Sequence, residues 1–581
     1  MVKKLLLCFA MLILALTSAA AQTDQTAEML SVLDDLVAAG RFDEQVGENI
    51  EAIAATGDPL YIAPLLDLGY FFQGSDNPIM RALETLTGQS FGVDWSRYFT
   101  WASSENIALP EGYDEWKGQL FSRAIDPAFA RFWDDAQDTA QINLLEAVWG
   151  GVRVDGIPSL VNARQIAPDK AFMEGERLRQ FCRGNDCFYP AQDELVFGVS
   201  INGDNRAYPL RLLNWHEMFN DVLGHAPLYD QPDGEIVCHF RAPTLFQAIA
   251  RQGTDWVQIV GESADCPSDG WLTMPEDLIW PGMDGWYEAN MQLPDLTETG
   301  ASALVPDAGV SGHVVGMPVM LAYCTLCGSG ILYDATVPDL VINGVSQGET
   351  VLEFGSTGML MRSNKLMYDR NTDTVWNAMT GEPAFGPLSG TGIRLEILPV
   401  VVTDWATWFA EHPDTSVLSL DTGYERDYRN GAAYQQYFND PTFIMFPVWQ
   451  QDTSQQQKEM VFALNIHDTP KAYPLDVLIP EAVTNDTLAG VNIVIISRST
   501  PDRDFFEPGG AAVRAYASGD YVFSPGEAEN EVVDQAGDVW TVTEDALLND
   551  TGESLERIGG HLAFWFGWYS FYPKTLVYEV G

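Results

Sequence analysis

The chain has 581 residues and a net charge of −51, and 46% of its residues are hydrophobic. This composition excludes an intrinsically disordered protein, and the length allows about three or four domains. The charge also argues against nucleic acid and anionic membrane surfaces as partners, because both would repel the protein.

The amino terminus has the pattern of a secretory signal. Two lysines precede an apolar run from Leu5 to Leu16, and Ala19-Ala20-Ala21 follows. The run is shorter than the roughly 20 apolar residues that a membrane helix needs, and no later stretch is long enough. We therefore predict that residues 1–21 are removed, that the protein has no membrane span, and that it is periplasmic or secreted.

Residues 22–150 are predicted to form a helical domain. Leu33, Leu36, Ile50 and Ile53 belong to apolar series with three- and four-residue spacing, which is typical of amphipathic helices. Several short helices in series favour a helical repeat of the HEAT type. An irregular helical bundle is the alternative.

An internal repeat organises the rest of the chain. Residues 196–210 (VFGVSINGDNRAYPL) and 461–475 (VFALNIHDTPKAYPL) share seven of fifteen residues without a gap. Shorter matches follow in the same order, ending with Trp408 and Pro413 opposite Trp568 and Pro573. Such self-similarity indicates one supersecondary unit that occurs twice.

The repeat predicts an α+β fold with two β-rich units after the helical domain. Residues 151–435 form the first unit and 436–581 the second, degenerate one. Each begins with a β-hairpin, since apolar and polar residues alternate around a turn. A helix should follow in the first unit, with Trp215, Met218, Phe219 and Val222 on one face. Residues 225–315 have no equivalent in the second unit and are predicted to be an insertion.

Residues found in one copy alone are candidates for function, because residues common to both are explained by folding. The first copy differs at His216 (opposite Glu481), Cys324 (opposite Arg498), Cys327, and Asp369-Arg370 (opposite Asp534-Gln535).

Cys324 and Cys327 form a C-x-x-C motif where an apolar strand meets a turn. Two thiolates at this spacing form the knuckle of many metal sites. We expect His216 to be a third ligand, and a thioether from Met359, Met361 or Met367 would favour copper over zinc. The leading hypothesis is therefore an extracytoplasmic protein that binds copper or zinc, without a nucleotide cofactor.

Two alternatives remain open for the same cysteines. C-x-x-C lowers the pKa of its first thiol, so the pair could be a thiol–disulfide redox centre. It could also be a plain disulfide, or a reduced buried pair, without chemistry. A third hypothesis is a non-catalytic module in which the helical domain or the insertion binds a protein or glycan partner.

Three further residues could have catalytic roles. Glu217 follows His216 and could act as a general base or support a ligand. Asp369 and Arg370 lie beside apolar positions, which favours a structural charge network or an arginine that recognises an anion.

The other cysteines of the mature chain are predicted to form disulfides. Their even number favours pairing outside the cytoplasm. Proximity suggests Cys182 with Cys187 and Cys238 with Cys266, although sequence alone does not fix the connectivity.

These residues also resemble a known family. The runs AYPLRLLNWHEMFNDVLG, AYCTLCGSGILYD and FGSTGMLMRSNKLMYDRNTDTVWNAMTGEP are similar to the family called domain of unknown function 3179, found in bacteria and archaea. The similarity extends from Val154 to the C-terminus, apart from the insertion. The resemblance implies an exported or lipid-anchored protein and marks His216, Glu217, Cys324, Cys327, Asp369 and Arg370 as important, but it implies no activity. Thr325 departs from the pattern, since a proline is common there.

Overall fold

The amino-terminal part of the chain is helical, as predicted. The computed structural model describes residues 25–580 except 41, 73–76, 179–187, 225–226, 233, 235, 240–243, 254–255, 262–266, 274–292, 298–300, 305–309, 315, 343 and 502–508. The predicted signal therefore lies outside the described residues. The helical segments are residues 25–39, Glu44–Ala55, Pro59–Tyr61, Ile62–Phe71, Pro78–Thr87, Trp95–Ser104, Tyr113–Ala124, Pro127–Phe132, Ala136–Thr139, Leu144–Glu146 and, further on, Pro168–Leu178.

Polar caps and buried apolar faces explain these short helices. Asp43 and Asn77 precede two of them and accept hydrogen bonds from unpaired backbone N–H groups of the first turn. Ile50 and Ile53 are buried on one face of Glu44–Ala55. The helical domain is thus a series of short amphipathic elements, while its HEAT-type character stays a prediction.

The rest of the chain is rich in β-strands. We call residues 195–434 the first segment and residues 460–580 the second segment. Strands that precede or belong to the first segment form five-stranded sheets. One has the strand order Val401–Asp404, Leu195–Ile201, Asp204–Pro209, Ser416–Leu418, Gln165–Ile166, and another has the order Leu160–Val161, Met218–Leu223, Met317–Cys324, Ser329–Asp334, Ile397–Leu398. A further sheet has the order Ala147–Trp149, Phe354–Met361, Asn364–Asp369, Val375–Asn377, Glu382–Phe385. Short paired strands are Thr336–Val337 with Thr350–Val351 and Val341–Ile342 with Val345–Ser346; the helices are Leu210–His216 and Trp405–Glu411.

The second segment has fewer elements in the same order. Its sheets have the strand orders His561–Phe564, Met460–Ile466, Thr469–Pro474, Leu576–Val577, and Val483–Leu488, Val491–Ser499, Ala511–Ala517, Ser554–Ile558, Ala546–Asn549, Val539–Val542, Glu531–Asp534, Phe523–Pro525; its helices are Leu475–Glu481 and Trp565–Phe571. The helix Gln435–Asn439 lies between the segments. The predicted hairpins are confirmed, since Val196 pairs with Pro209 and Val461 with Pro474.

The same side-chain hydrogen bonds occur at matching places in both segments. The amide of Asn220 bonds both the N–H and the carbonyl of Phe354, and Asn485 does the same for Phe523. In the first segment these bonds hold the strand Phe354–Met361 against Met218–Leu223, the strand that follows the helix Leu210–His216. In the second segment they hold Phe523–Pro525 against Val483–Leu488, the strand that follows the helix Leu475–Glu481.

The helix predicted to contain Met218 and Phe219 is shorter than expected, and that prediction was wrong. The helix Leu210–His216 ends at Glu217, whose φ of 52° is left-handed and whose N–H bonds to Leu213. Residues Met218–Leu223 continue as a strand beside Met317–Cys324. A short apolar run suits either a buried helix or a buried strand, so spacing alone did not distinguish them.

The predicted insertion contains a sheet of its own. Its strand order is Val310–Val314, Thr244–Gln252, Trp256–Gly261, Asp269–Thr273, Pro227–Tyr229, Ile236–His239.

The helical domain packs directly on the first segment: the rings of Trp133 and Phe385 stack with centroids 5.3 Å apart. Within the described residues, none of the helices has the length and apolar character needed to cross a membrane.

We predict that Asn220→Ala lowers the free energy of unfolding by about 2–4 kcal/mol, because it leaves a buried N–H and a buried carbonyl of Phe354 unpaired. Asn485→Ala should act in the same direction. Urea unfolding would measure both, with exposed Asn465→Ala as the control, expected within about 0.5 kcal/mol of wild type. An Asn220→Ala midpoint equal to that of the control would contradict this account.

Candidate functional site

The two cysteines of the C-x-x-C motif lie in a tight turn between antiparallel strands. Cys324 ends the strand Met317–Cys324 and pairs with Ser329, the first residue of the next strand. Cys324 and Cys327 form a disulfide with their Cα atoms 5.3 Å apart. Gly328 completes the turn with a φ of 61°, a conformation that favours glycine.

Hydrogen bonds hold this turn independently of the disulfide. The N–H of Cys327 bonds the carbonyl of Cys324 at 3.2 Å. The hydroxyl of Tyr437 donates to the carbonyl of Leu326 at 2.5 Å, and the N–H of Phe564 donates to that of Cys327 at 2.8 Å. Phe564 belongs to the second segment, which therefore contacts the turn and stabilises it.

A narrow cleft gives access to one of the two cysteines. Cys324 is 6% exposed and lines the cleft, whereas Cys327 is fully buried and does not. The cleft measures about 380 Å³ up to its open mouth. Its lining is Gly150, Val152, Ile157, Glu217, Cys324, Leu326, Ser356, Gly358, Met359, Leu360, Lys365 and Tyr434.

A buried ion pair lines the same cleft. The ammonium of Lys365 donates to the carboxylate of Glu217, and the two residues are only 4% and 7% exposed. The carbonyl of Glu217 accepts a hydrogen bond from the N–H of Tyr323, the residue before Cys324, at 2.7 Å. Burial and the Glu217 carboxylate raise the pKa of Tyr434. The disulfide thus shares its cleft with a carboxylate, an ammonium and a neutral phenol.

His216 does not join the cysteines. Its Nδ1 donates to the carbonyl of Pro158 at 3.0 Å, so its Nε2 accepts from the hydroxyl of Tyr428 at 2.6 Å. The ring is fully buried, and burial lowers its pKa to about 4. Because both nitrogens have hydrogen-bond partners, neither is available to a metal in this arrangement.

The predicted metal ligands therefore do not fit a metal centre in this structure. The two sulfurs are bonded to each other, which removes the thiolate charge that a metal needs. Met367 is buried outside the lining of the cleft, and Met359 lines it instead.

Among the residues that the structure describes, a different group of side chains has metal-like spacing. Ligand atoms of Glu411, His412 and Glu544 lie within 4.8 Å of one another. Arg514 bonds both carboxylates, and Arg557 bonds that of Glu544. Guanidinium groups thus already neutralise these acids, so the group is a structural charge network.

Asp369 and Arg370 form hydrogen bonds with different partners and do not pair with each other. The carboxylate of Asp369 accepts from the indole N–H of Trp376 at 2.8 Å and from the N–H of Thr372 at 2.6 Å. Arg370 forms two hydrogen bonds with Asp155, at 2.9 and 3.0 Å.

The residues around the disulfide have different counterparts in the second segment. The N–H of Ser497 bonds the carbonyl of Ala482 as that of Tyr323 bonds Glu217, which places Ala482 opposite Glu217. The residue after Ser497, Arg498, then lies opposite Cys324. By the same logic Asn530 lies opposite Lys365, because their carbonyls accept from Val542 and Ala378 respectively.

Sequence reasoning found Cys324, Cys327 and Glu217 but missed Lys365 and Tyr434. Extending the comparison of the two copies to Lys365 would have found the ammonium, whereas nothing in the sequence pointed to Tyr434. The predicted disulfide partners Cys182, Cys187 and Cys266 and the side chain of Cys238 lie outside the described residues.

We predict that His216 makes stability depend on pH. Its folded pKa of about 4 lies below the usual 6.5, so the unfolded chain binds a proton that the folded one does not. Its contribution is complete above pH 6.5 and is lost as the pH falls towards 4, by about 3 kcal/mol. His216→Gln should flatten this dependence in urea unfolding between pH 4 and 7, whereas unchanged slopes would contradict the burial argument. Burial also lowers the pKa of His561 to about 4, so His561→Gln is the matched variant for comparison.

Comparison with known proteins gives a family and nothing beyond it. A family model described as protein of unknown function (DUF3179) matches residues 154–229 and 304–575, and its gap falls within the predicted insertion. No curated protein and no solved structure matches the chain. The match covers more than half of the sequence, and the chain therefore belongs to the DUF3179 family of proteins of unknown function.

Proposed function

We propose that this protein is a thiol–disulfide redox protein whose centre is the Cys324–Cys327 disulfide. The observation that carries the proposal is the cleft in which Cys324 lies beside the buried Glu217–Lys365 pair. It favours the redox alternative over the metal hypothesis, since the sulfurs are paired and His216 is engaged elsewhere.

A purely structural disulfide explains this arrangement less well. The stabilisation from a cross-link grows with the loop that it closes, and Cys324 and Cys327 are only three residues apart. The turn is already held by hydrogen bonds to the carbonyls of Cys324, Leu326 and Cys327. The bond therefore adds little to the fold, and a costly buried ion pair beside it needs a further reason.

The order of steps in exchange with an external thiol follows from the different exposure of the two cysteines, since only Cys324 lines the cleft. A thiolate attacks Cys324, the sulfur at the cleft, and the Cys324–Cys327 bond breaks while Cys327 leaves as a thiolate and takes up a proton. A second thiolate then attacks the external sulfur of the mixed disulfide, which forms an external disulfide and releases Cys324 as a thiolate. The net reaction oxidises two thiols and reduces one protein disulfide.

Glu217 and Lys365 have complementary roles in this exchange. The ammonium of Lys365 stabilises the thiolate of Cys324, whereas the carboxylate of Glu217 accepts the proton that the thiol loses when the disulfide forms again. Their pairing keeps both charges in a cleft that is otherwise largely apolar.

We also infer that the two segments are copies of one unit, of which only the first kept or acquired the redox site. The shared element order and the matching hydrogen bonds of Asn220 and Asn485 support this inference. An exported location fits the redox proposal, because disulfides persist outside the cytoplasm. Binding of a protein or glycan partner through the helical domain or the insertion stays a prediction.

We expect the protein to catalyse exchange between dithiothreitol and cystamine, at least about tenfold faster than Cys324→Ser does. Cys327→Ser should accumulate a mixed disulfide between Cys324 and cysteamine, because the second sulfur is no longer present to displace it. Stopped assays with mass spectrometry of the Cys324 peptide would show both results. A wild-type rate equal to that of Cys324→Ser would refute the proposal.

We further predict opposite effects of the two charges on the Cys324 thiol of the reduced protein. Lys365→Met should raise its pKa by about one pH unit and Glu217→Gln should lower it similarly, because each removes one of two opposite charges. The pH dependence of iodoacetamide alkylation would measure the change. The double variant is the control, since it removes both charges and leaves neither unpaired. Identical profiles in the two single variants would exclude a redox role for the pair.

A further inference from the structure

We infer that residues 150–158, here called the strap, limit the disulfide to small thiols and exclude dithiols on folded proteins. The inference rests on the proposed redox function and names the class of substrate. Arg370 is assigned as the residue that sets this specificity, by holding the strap in place.

The strap forms one wall of the cleft. Gly150, Val152 and Ile157 line it together with Glu217 and Lys365. The strap lies close to the strand Phe354–Met361 because Gly358 has no side chain: a Cβ there would lie 2.4 Å from the carbonyl oxygen of Val152. The N–H of Gly150 also bonds the carbonyl of Gly358 at 2.8 Å.

Arg370 and Asp155 anchor the middle of the strap. The guanidinium makes two hydrogen bonds to the Asp155 carboxylate, which also accepts from the hydroxyl of Tyr368 at 2.7 Å. The N–H of Asp155 donates to the carbonyl of Ser356 at 2.8 Å. Bidentate pairs of this kind fix orientation as well as distance.

His216 anchors the end of the strap. Its Nδ1 donates to the carbonyl of Pro158, and Tyr428 fixes the other ring nitrogen. Two residues that the sequence marked for chemistry, His216 and Arg370, therefore contact the strap and act as positioning residues.

The dimensions of the cleft set the class of substrate. The cleft measures only about 380 Å³ up to its open mouth, and Cys324 is 6% exposed. A thiol at the end of a short unbranched chain can approach the sulfur end-on. A thiol on a folded protein brings its neighbouring backbone with it, and that backbone would meet the strap and Tyr434.

The test compares reduction of the disulfide by cysteamine and by the surface dithiol of reduced thioredoxin. Samples are quenched and alkylated, and the Cys324 peptide is quantified by mass spectrometry. Wild type should react with cysteamine and at least about tenfold more slowly with the protein dithiol at equal thiolate concentration. Arg370→Ala should raise the protein-dithiol rate about tenfold and the cysteamine rate less than about threefold.

Controls separate opening of the strap from unfolding. Arg131→Ala is the matched control, because Arg131 lies over the Tyr368 ring and contacts Asp373 without touching the strap; it should react as wild type does. Asp155→Asn keeps the volume and should reproduce Arg370→Ala, with faster hydrogen exchange in residues 150–158.

The outcomes distinguish this inference from the proposed function. Equal rates with both thiols in wild type, or an unchanged ratio of rates in Arg370→Ala and Asp155→Asn, overturn the role of the strap and leave the redox proposal standing. A disulfide that neither thiol reduces in wild type or Arg370→Ala overturns both.

Discussion

The backbone hydrogen bond between Tyr323 and Glu217 brings Glu217 next to Cys324. It joins the residue that ends a short helix to the strand end that carries Cys324, so a carboxylate and a disulfide meet at one cleft. Glu217 reaches this position only with a left-handed φ of 52°, which directs the chain from the helix into the strand Met218–Leu223. Ala482, which lies opposite Glu217 in the second segment, has a similar left-handed φ of 59°, so the bend belongs to the fold of both segments and only the buried charge is particular to the first.

The ion pair in the cleft has to be understood against the charge of the whole protein. A net charge of −51 disfavours any further negative charge, including a thiolate. Lys365 offsets this locally, because it is nearly buried and water screens its field less than that of a surface lysine. Replacement of a buried ion pair by apolar residues of the same size is often neutral or stabilising. Under the proposed redox function, the two charges are explained by their effect on the Cys324 thiolate.

The sequence predicted the elements better than their contacts. Alternation around a turn was enough for both hairpins, and spacing was enough for the helical domain. Helical spacing failed at Met218, because only Glu217 separates the seven-residue helix from the strand that begins there. The helical and the strand periodicity both fit so short a run of residues. Comparison of the copies found Cys324, but it could not show that His216 faces Pro158 rather than the thiols. Lys365 lies 148 residues from Glu217 and in a different sheet from the strand that follows Glu217, so only the packing of separate elements brings the two together.

The second segment has a role although it lacks the reactive residues. Its Phe564 donates a hydrogen bond to Cys327, and Gly567 allows the buried sulfur residue to pack closely, since a Cβ there would lie 3.1 Å from that of Cys327. Under the proposed redox function, the turn must keep its two sulfurs within bonding distance after reduction, when the covalent link is gone. Contacts from the second segment to the turn meet this requirement. If the two segments are copies of one unit, as we propose, the second can be retained because its contacts hold the turn of the first in shape.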